Sequence, residues 1–214
     1  MGNLELNQVP ETFYVFVDQA NTMTWHNFNM VGQLCSSSFV AATEPSTAQD
    51  YANGTFEVLP YVSNPNYVPT FMSPFMAGIL APLGVEIDAE RFRRLMAPEA
   101  PSRLLCIYAF GSYADCCEAA RRYGWALGEV HEFKAVPDAY LRVRRVNMEI
   151  VSLAQTAYAR SATDESVRTA LWSAYWNGLD NLVLELPAPP PTLRSQMASG
   201  CLWEYLIDGC VQRV

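Results

Sequence analysis

The sequence is poor in basic residues and in histidine, and it contains no long apolar run. Its 214 residues include 14 lysines and arginines against 22 aspartates and glutamates, so the formal net charge is −8. Since binding to nucleic-acid phosphates needs a basic surface, this balance argues against nucleic acid as a main partner. A local basic patch is possible only at Arg142, Arg144 and Arg145. No stretch approaches the roughly 18 apolar residues of a membrane span, and we expect no membrane partner.

Cysteine pairs at metal-binding spacing are also absent. The six cysteines are Cys35, Cys106, Cys116, Cys117, Cys201 and Cys210. None forms a CxxC pair, and only His26 and His131 could complement them, so we expect no metal site. The N-terminal residues MGNLELNQVPET lack the basic start and the apolar core of a Sec signal peptide. We therefore expect reduced thiols in a reducing compartment, either the cytoplasm of the producing cell or a host cytosol reached without a Sec signal.

The composition is that of an ordinary globular protein. Half of the residues are hydrophobic and 17% are charged, which separates the chain from disordered sequences. A length of 214 residues is ample for a hydrophobic core. We expect a single domain over residues 1–214.

Strand patterns dominate both ends of the chain, and helical patterns lie between them. Strands are predicted at 12–18, 102–110, 128–136, 201–207 and 209–214. Helices are predicted at 88–96 with an Asp88 cap, at 112–124 with Ser112 as cap and Gly124 as stop, and at 147–160 and 164–179. Residues 19–75 are predicted to hold a short helix and functional loops, and PAPPPT (187–192) a stiff linker. This order predicts an α+β fold rather than a doubly wound parallel sheet.

Standard nucleotide-binding and hydrolase motifs do not occur. The chain has no Walker loop, no G-x-G-x-x-G, no G-x-S-x-G elbow and no H-E-x-x-H. A cysteine hydrolase would have to combine Cys35 or Cys106 with His26 or His131. Free cysteines are among the most buried residue types. Inert packing is therefore the better interpretation of Cys35 and Cys106, and the cysteine hydrolase is the weakest alternative.

Glu204 stands out in the C-terminal strand pattern CLWEYLI (201–207). Successive strand side chains alternate between faces, so Glu204 shares an apolar face with Leu202 and Leu206. Burying a carboxylate among apolar side chains is unfavourable without a partner. Glu204 is therefore either a structural residue that reaches water or an arginine, or a functional carboxylate.

The segment CIYAFGSYADCCEAARRYG (106–124) predicts a strand that contains Tyr108, then a short turn and a helix, and Glu204 follows in a late strand. This arrangement resembles the ADP-ribosyltransferase superfamily, in which a strand tyrosine stacks on nicotinamide and a late-strand glutamate completes a His-Tyr-Glu site. With PSR, AARRYG, GEVHEFKA, AYWNG and LWEYL, the chain is similar to a group of small bacterial domains of that fold. The resemblance implies an ADP-ribosyltransferase-like split β-sheet core with inserted helices.

The resemblance also implies NAD as the substrate, no metal, and Glu204 and Tyr108 as the catalytic residues. The residues it implies as contacts to NAD are Tyr14, Val15, Asp18, Gln19, Asn21, Arg103, Ser112 and Tyr113. The first strand departs from the family pattern, because Val15 stands where the superfamily has a histidine that holds the adenine ribose. Either NAD is held through Asp18, Gln19 or Asn21, or the site no longer catalyses transfer.

The implied activity is mono-ADP-ribosyl transfer from NAD to a side chain of a target protein, as in bacterial effectors and toxins. Cleavage of the N-glycosidic bond builds positive charge on the ribose, and a preorganised carboxylate such as Glu204 stabilises that charge. A host protein is the implied partner, with a threonine of ubiquitin as one candidate acceptor. The alternative is a catalytically degenerate binding module of the same fold.

Overall fold

The computed structural model describes residues 2–45, 47, 50, 83–159, 165–188 and 193–214. The α-helices in these ranges are α1 (Thr22–His26), α2 (Ser37–Thr43), α3 (Leu83–Met96), α4 (Tyr113–Tyr123), α5 (Met148–Ala159) and α6 (Glu165–Trp176). The strands are β1 (Phe13–Phe16), β2 (Gln33–Cys35), β3 (Ile107–Ala109), β4 (Val130–Ala135), β5 (Arg142–Asn147), β6 (Val183–Ala188), β7 (Leu193–Ala198), β8 (Trp203–Asp208) and β9 (Cys210–Arg213). None of the helices in the described ranges has the length and apolarity needed to cross a bilayer.

Two antiparallel sheets and a hairpin make up the β-structure of the described residues. The first sheet has the strand order β1-β4-β9-β2, the second has the order β3-β8-β5, and β6 pairs with β7. The sheets meet where Tyr14 N donates to Phe110 O (2.9 Å) and Phe110 N donates to Tyr14 O (2.8 Å). Antiparallel sheets combined with helices give the α+β fold that the sequence predicts.

Strand β8 is covered on both of its faces. Ile207 packs with Val15 and Phe133 in the core between the two sheets. Leu206 packs on the opposite side, in a second core formed with α3, α5 and α6. Because successive side chains alternate, Glu204 lies on the same face as Leu206 and points toward the helical layer.

The boundaries of α4 are confirmed at both ends. Ser112 has extended backbone angles, and its hydroxyl oxygen accepts a hydrogen bond from Asp115 N (3.1 Å). Gly124 ends the helix in the left-handed region at φ 72°, a conformation that glycine adopts without a steric penalty. The helices predicted at 147–160 and 164–179 are also present, as α5 and α6.

Helix α3 is longer than predicted. It begins by Leu83, so Asp88 lies inside the helix and not at its N-cap. Val85, Ala89 and Phe92 are buried at helical spacing, and this apolar face continues the helix on the N-terminal side of Asp88. The strand predicted over 102–110 is shorter, since Cys106 N bonds back to Ser102 O (2.9 Å) and extended structure starts at Ile107.

The arginine cluster at 142–145 is a strand and not a basic patch. Strand β5 pairs with β8 along its whole length. Arg142 pairs with Asp208, Arg144 is buried, and the guanidinium of Arg145 lies 4.4 Å from the centre of the Trp203 ring. These contacts occupy the charges that a phosphate backbone would need.

The predicted linker PAPPPT begins inside a hairpin. Its first residues, Pro187 and Ala188, end β6, which pairs with β7, while residues 189–192 lie outside the described part of the chain. Of the region 19–75, the described residues form α1, β2 and α2. The rest of that region, including all of 51–75, lies outside the described residues, so the functional loops predicted within 19–75 are not tested there.

The prediction that all six cysteines are reduced is wrong. Cys35 and Cys210 form a disulfide across 175 residues of sequence. They are direct partners in the antiparallel pairing of β2 with β9, with Cα atoms 4.1 Å apart. The other four cysteines carry thiols. A reducing compartment therefore no longer follows from cysteine usage.

Candidate active site

A cavity of about 370 Å³ lies between β1, β3 and β8 on one side and α3 and α5 on the other. Its volume falls in the range of small-molecule sites, about 300–1,000 Å³. Its floor is polar and is formed by Glu86, Arg103, Tyr108 and Glu204. Aromatic side chains form one wall. This combination of an apolar wall and a few convergent polar groups is typical of a ligand-binding site.

Strand register brings Tyr108 and Glu204 to the same face of the second sheet. Tyr108 on β3 is the direct partner of Leu206 on β8. Glu204 lies two residues before Leu206, so its side chain leaves the sheet on the same side. Both Tyr108 and Glu204 line the cavity.

The carboxylate of Glu204 is held by one of its two oxygens. Oε1 accepts hydrogen bonds from Arg103 Nη1 (2.8 Å) and from the Tyr175 hydroxyl (3.0 Å). Among the described residues, Oε2 accepts none. Burial raises the pKa of the Glu204 carboxyl, and the charge of Arg103 and the hydrogen bond from Tyr175 oppose that shift. Glu204 therefore has the arginine partner that its structural interpretation requires, but one oxygen is left for a ligand.

Arg103 pairs with two carboxylates. Its Nε and Nη2 donate to Glu86 Oε2 (2.9 Å) and Oε1 (3.1 Å), and its Nη1 donates to Glu204 and to the Tyr175 hydroxyl. Burial would lower the pKa of Arg103, but Glu86 and the other neighbours raise it well above its ordinary value. Two carboxylates, Glu86 and Glu204, thus share one guanidinium group in the cavity floor.

Tyr108 is tied to the same cluster. Its hydroxyl donates to the backbone oxygen of Arg103 (2.5 Å), and its ring centre lies 5.0 Å from the Arg103 guanidinium carbon. Burial raises the pKa of the Tyr108 hydroxyl well above its usual value. The ring is thus neutral and fixed in orientation, as a stacking residue must be.

The aromatic wall consists of Phe16, Phe110, Tyr123 and Trp125. The rings of Tyr123 and Trp125 are stacked with centres 5.3 Å apart, and Phe16 contacts Trp125 edge-on at 5.1 Å. Trp125 follows the Gly124 stop of α4, and 43% of its surface is exposed. The wall offers flat apolar surface beside the charged floor.

The first strand reaches the cavity through a different residue from the one predicted. Val15 is fully buried in the core between the two sheets and has no solvent-accessible surface. Phe16, the last residue of β1, and Asp18, two residues beyond the strand, line the cavity. Because strand side chains alternate, a residue at position 15 does not reach the cavity.

The remaining predicted contacts lie outside the cavity lining or have structural partners. Tyr14 and Tyr113 pack against each other, with ring centres 6.1 Å apart. Asn21 caps α1 by accepting from the backbone of Met23 and Thr24, and Ser112 caps α4.

Gln19 lies at the surface. Its side-chain oxygen accepts from Asn29 Nδ2 (3.3 Å). Of the residues named for NAD contact, Asp18 and Arg103 line the cavity, and Arg103 is already occupied by carboxylates.

Several cavity residues were not anticipated from the sequence. Glu86 carries the same signal as Glu204, since it lies between the apolar residues Val85 and Ile87 and is fully buried. Tyr175 is fully buried behind the cavity lining, and its hydroxyl donates to Glu204 Oε1. Nothing in the local sequence marks Trp125.

Cysteine chemistry gains no support. Cys35 is in the disulfide. Cys106 is fully buried, and burial raises the pKa of its thiol well above the ordinary value, which disfavours the nucleophilic thiolate. Within the described ranges, no group of three or more His, Cys, Asp or Glu could hold a metal ion.

No protein-family model matches the chain, and no curated protein matches it. Function is therefore argued from the geometry of the cavity.

Proposed function

We propose that the cavity binds NAD and that the protein transfers ADP-ribose from NAD to a side chain of a target protein. One observation carries the proposal: Tyr108 and Glu204, from neighbouring strands, face a single cavity into which Glu204 presents a carboxylate oxygen without a partner among the described residues. The end of β1 reaches the same cavity through Phe16 and Asp18. An ADP-ribosyltransferase-like split-sheet core accounts for this convergence.

The chemistry needs negative charge and a flat apolar surface. The bond between the ribose anomeric carbon and the pyridinium nitrogen breaks, its electron pair stays on nicotinamide, and positive charge develops on the ribose. The acceptor side chain then bonds to the anomeric carbon and loses its proton. In its ionised form the Glu204 carboxylate favours both the nicotinamide cation and the ribosyl cation, and the Tyr108 ring orients the leaving group.

Two differently labelled forms of NAD test the proposal. The protein is incubated with a lysate, or with ubiquitin, and with NAD labelled either in the adenylate or in the nicotinamide ring. Transfer labels an acceptor band from adenylate-labelled NAD and releases the label from nicotinamide-labelled NAD. Absence of nicotinamide release with every acceptor would overturn the proposal.

A non-catalytic binding module is the second candidate. It is favoured by the pairing of Glu204 with Arg103 and Tyr175, which accounts for the buried carboxylate without any reaction. Calorimetry with NAD, combined with the nicotinamide-release assay, separates the two candidates. A module binds NAD without releasing nicotinamide, whereas a transferase binds NAD and releases nicotinamide.

A further inference from the structure

The three nitrogens of the Arg103 guanidinium group have different acceptors in the cavity floor. Nε and Nη2 form a two-pronged pair with Glu86, at 2.9 and 3.1 Å, which is the strong geometry for arginine and carboxylate. Only Nη1 is left for Glu204. Glu86 thus fixes the rotation of the guanidinium plane, and with it the direction of the Nη1 bond.

Tyr175, on α6, contacts the same oxygen of Glu204, Oε1. Its hydroxyl accepts from Arg103 Nη1 and donates to Glu204 Oε1. Glu204 is therefore held twice through Oε1, from the loop before β3 and from α6. These contacts leave Oε2, on a side chain that lines the cavity.

We propose that Glu86, Arg103 and Tyr175 form a positioning network that holds Glu204 by Oε1 alone and keeps Oε2 available to the ligand. The inference rests on the proposed function in that Glu204 is the carboxylate that meets the ribose. None of the three residues needs to touch the reacting atoms, since each acts through Glu204.

The network also sets the charge of Glu204, and its members act with opposite signs. Burial raises the pKa of the Glu204 carboxyl, the charge of Arg103 and the hydrogen bond from Tyr175 lower it, and the charge of Glu86 raises it. Removing the Glu86 charge should therefore lower the pKa of Glu204. Removing the Tyr175 hydroxyl should raise it.

Other titratable or charged groups lie on the elements around Glu204. Asp18, after β1, and Tyr123 on α4 line the same cavity, and burial raises the pKa of the Tyr123 hydroxyl to about 12. Tyr108 and Cys106 lie in or next to β3, and burial keeps both neutral by raising the pKa of each well above its usual value. On β5, Arg144 shares the face of Glu204 and pairs with Glu99 (3.3 Å). The cavity-lining residues of α5, such as Ser152 and Gln155, do not titrate.

Carbon-13 NMR titration of the Glu204 carboxyl tests the network without relying on activity. The Glu204 resonance is identified by its absence from the Glu204→Gln spectrum, and NAD turnover is followed over the same pH range. The variants are Glu86→Gln and Tyr175→Phe. The matched controls are Glu90→Gln, a buried α3 glutamate paired with Arg93, and Tyr158→Phe, whose hydroxyl bonds Asp88.

The network predicts that the Glu204 titration moves to lower pH in Glu86→Gln, to higher pH in Tyr175→Phe, and not in either control. The acidic limb of NAD turnover should move in the same two directions. A purely structural role would lower the folded fraction of both variants and would not shift the titration in opposite directions.

The outcomes separate the two proposals. Titrations that move together, stay unchanged or shift equally in the controls overturn the network, even if NAD is turned over. Opposite titration shifts in a protein that releases no nicotinamide support the network and overturn the transferase. If Glu86→Gln does not fold, Tyr175→Phe against Tyr158→Phe decides the matter.

Discussion

Strand β8 carries two buried carboxylates on one face, Glu204 and Asp208, and they are alike in most respects. Each pairs with an arginine, Glu204 with Arg103 at 2.8 Å and Asp208 with Arg142 at 2.5 Å. Burial raises the pKa of both carboxyls. By charge and burial alone, neither would be singled out as functional.

They differ in how many oxygens are occupied and in what lies beside them. Oδ1 of Asp208 accepts from the Ser38 hydroxyl and Oδ2 accepts from Arg142, and Asp208 does not line the cavity. Glu204 uses Oε1 only and lines it. A buried carboxylate with an arginine partner is thus no sign of a reaction by itself, whereas an open oxygen at a cavity is available to a ligand.

They also differ in anchoring. Next to Asp208, Gly209 O accepts a hydrogen bond from Ser36 N (2.8 Å), and Gly209 N donates to the Ser36 hydroxyl oxygen (2.9 Å). Cys210 is joined to Cys35 by the disulfide. The Asp208 end of β8 is fixed to the first sheet, and the Glu204 end faces the cavity. Stability and ligand binding should therefore separate along one strand.

Replacing the two arginines should give the largest difference in stability. Arg103→Met leaves both Glu86 and Glu204 buried without a cation, which should cost about 3–5 kcal/mol of unfolding free energy. Arg142→Met leaves only Asp208, which keeps the Ser38 hydroxyl, so a smaller loss of about 1–3 kcal/mol is expected. Urea unfolding monitored by circular dichroism measures both. Equal losses would contradict the view that Arg103 serves two buried carboxylates.

Replacing the two carboxylates should separate activity from stability. Glu204→Gln should lower NAD turnover by about 10²–10³-fold, or roughly 3–4 kcal/mol, because a preorganised charge is lost. The affinity for NAD should change far less, since the charge acts mainly in the transition state. Arg103 keeps its pair with Glu86, so the melting temperature should change little. Asp208→Asn is the control, and its folded fraction should turn over NAD at the wild-type rate.

A different result would remove the catalytic assignment. If Glu204→Gln is strongly destabilised and its folded fraction turns over NAD normally, Glu204 is a structural ion-pair residue like Asp208.

Removing the disulfide should lower the stability of the protein through the Asp208 end of β8 and should leave NAD binding at the Glu204 end unchanged. Cys210→Ser opens a link that spans 175 residues and should cost about 2–4 kcal/mol of unfolding free energy. NAD affinity of the folded protein should be unchanged, as measured by calorimetry below the unfolding transition. Cys201→Ser, which removes an exposed thiol, should change neither quantity. Loss of NAD affinity in Cys210→Ser would show that the two ends of β8 are coupled.

The features of the fold that depend on near neighbours in the chain could be predicted from the sequence. The alternation of CLWEYLI places Glu204 and Leu206 on one face, and Ser112 and Gly124 mark the ends of α4, because caps and alternation depend on near neighbours. Strand β5 was missed because Arg142, Arg144 and Arg145 look solvated until Asp208, Glu99 and Trp203 are brought beside them.

The cavity floor could not be assembled from the sequence for a related reason. Glu86 and Glu204 each show a carboxylate in an apolar setting, but their shared partner Arg103 lies 17 and 101 residues away. The Cys35–Cys210 pair is hidden in the same way, since only the β2–β9 register brings the two residues together. Such partners are set by topology, which residue spacing does not reveal.

The smallest expected effect comes from the aromatic wall. Trp125 lines the cavity and is 43% exposed, whereas Trp25 on α1 is 46% exposed and does not line it. Trp125→Ala removes a flat surface from the candidate NAD site and should weaken NAD binding by about 1 kcal/mol, roughly five- to tenfold in Kd. Trp25→Ala removes a similarly exposed ring and should leave Kd unchanged. Because both side chains are partly exposed, neither variant should lose much stability, and calorimetric titration with NAD can compare them directly. Equal Kd values for the two variants would place the ligand away from the Tyr123–Trp125 wall, and the cavity would then have to bind through its charged floor alone.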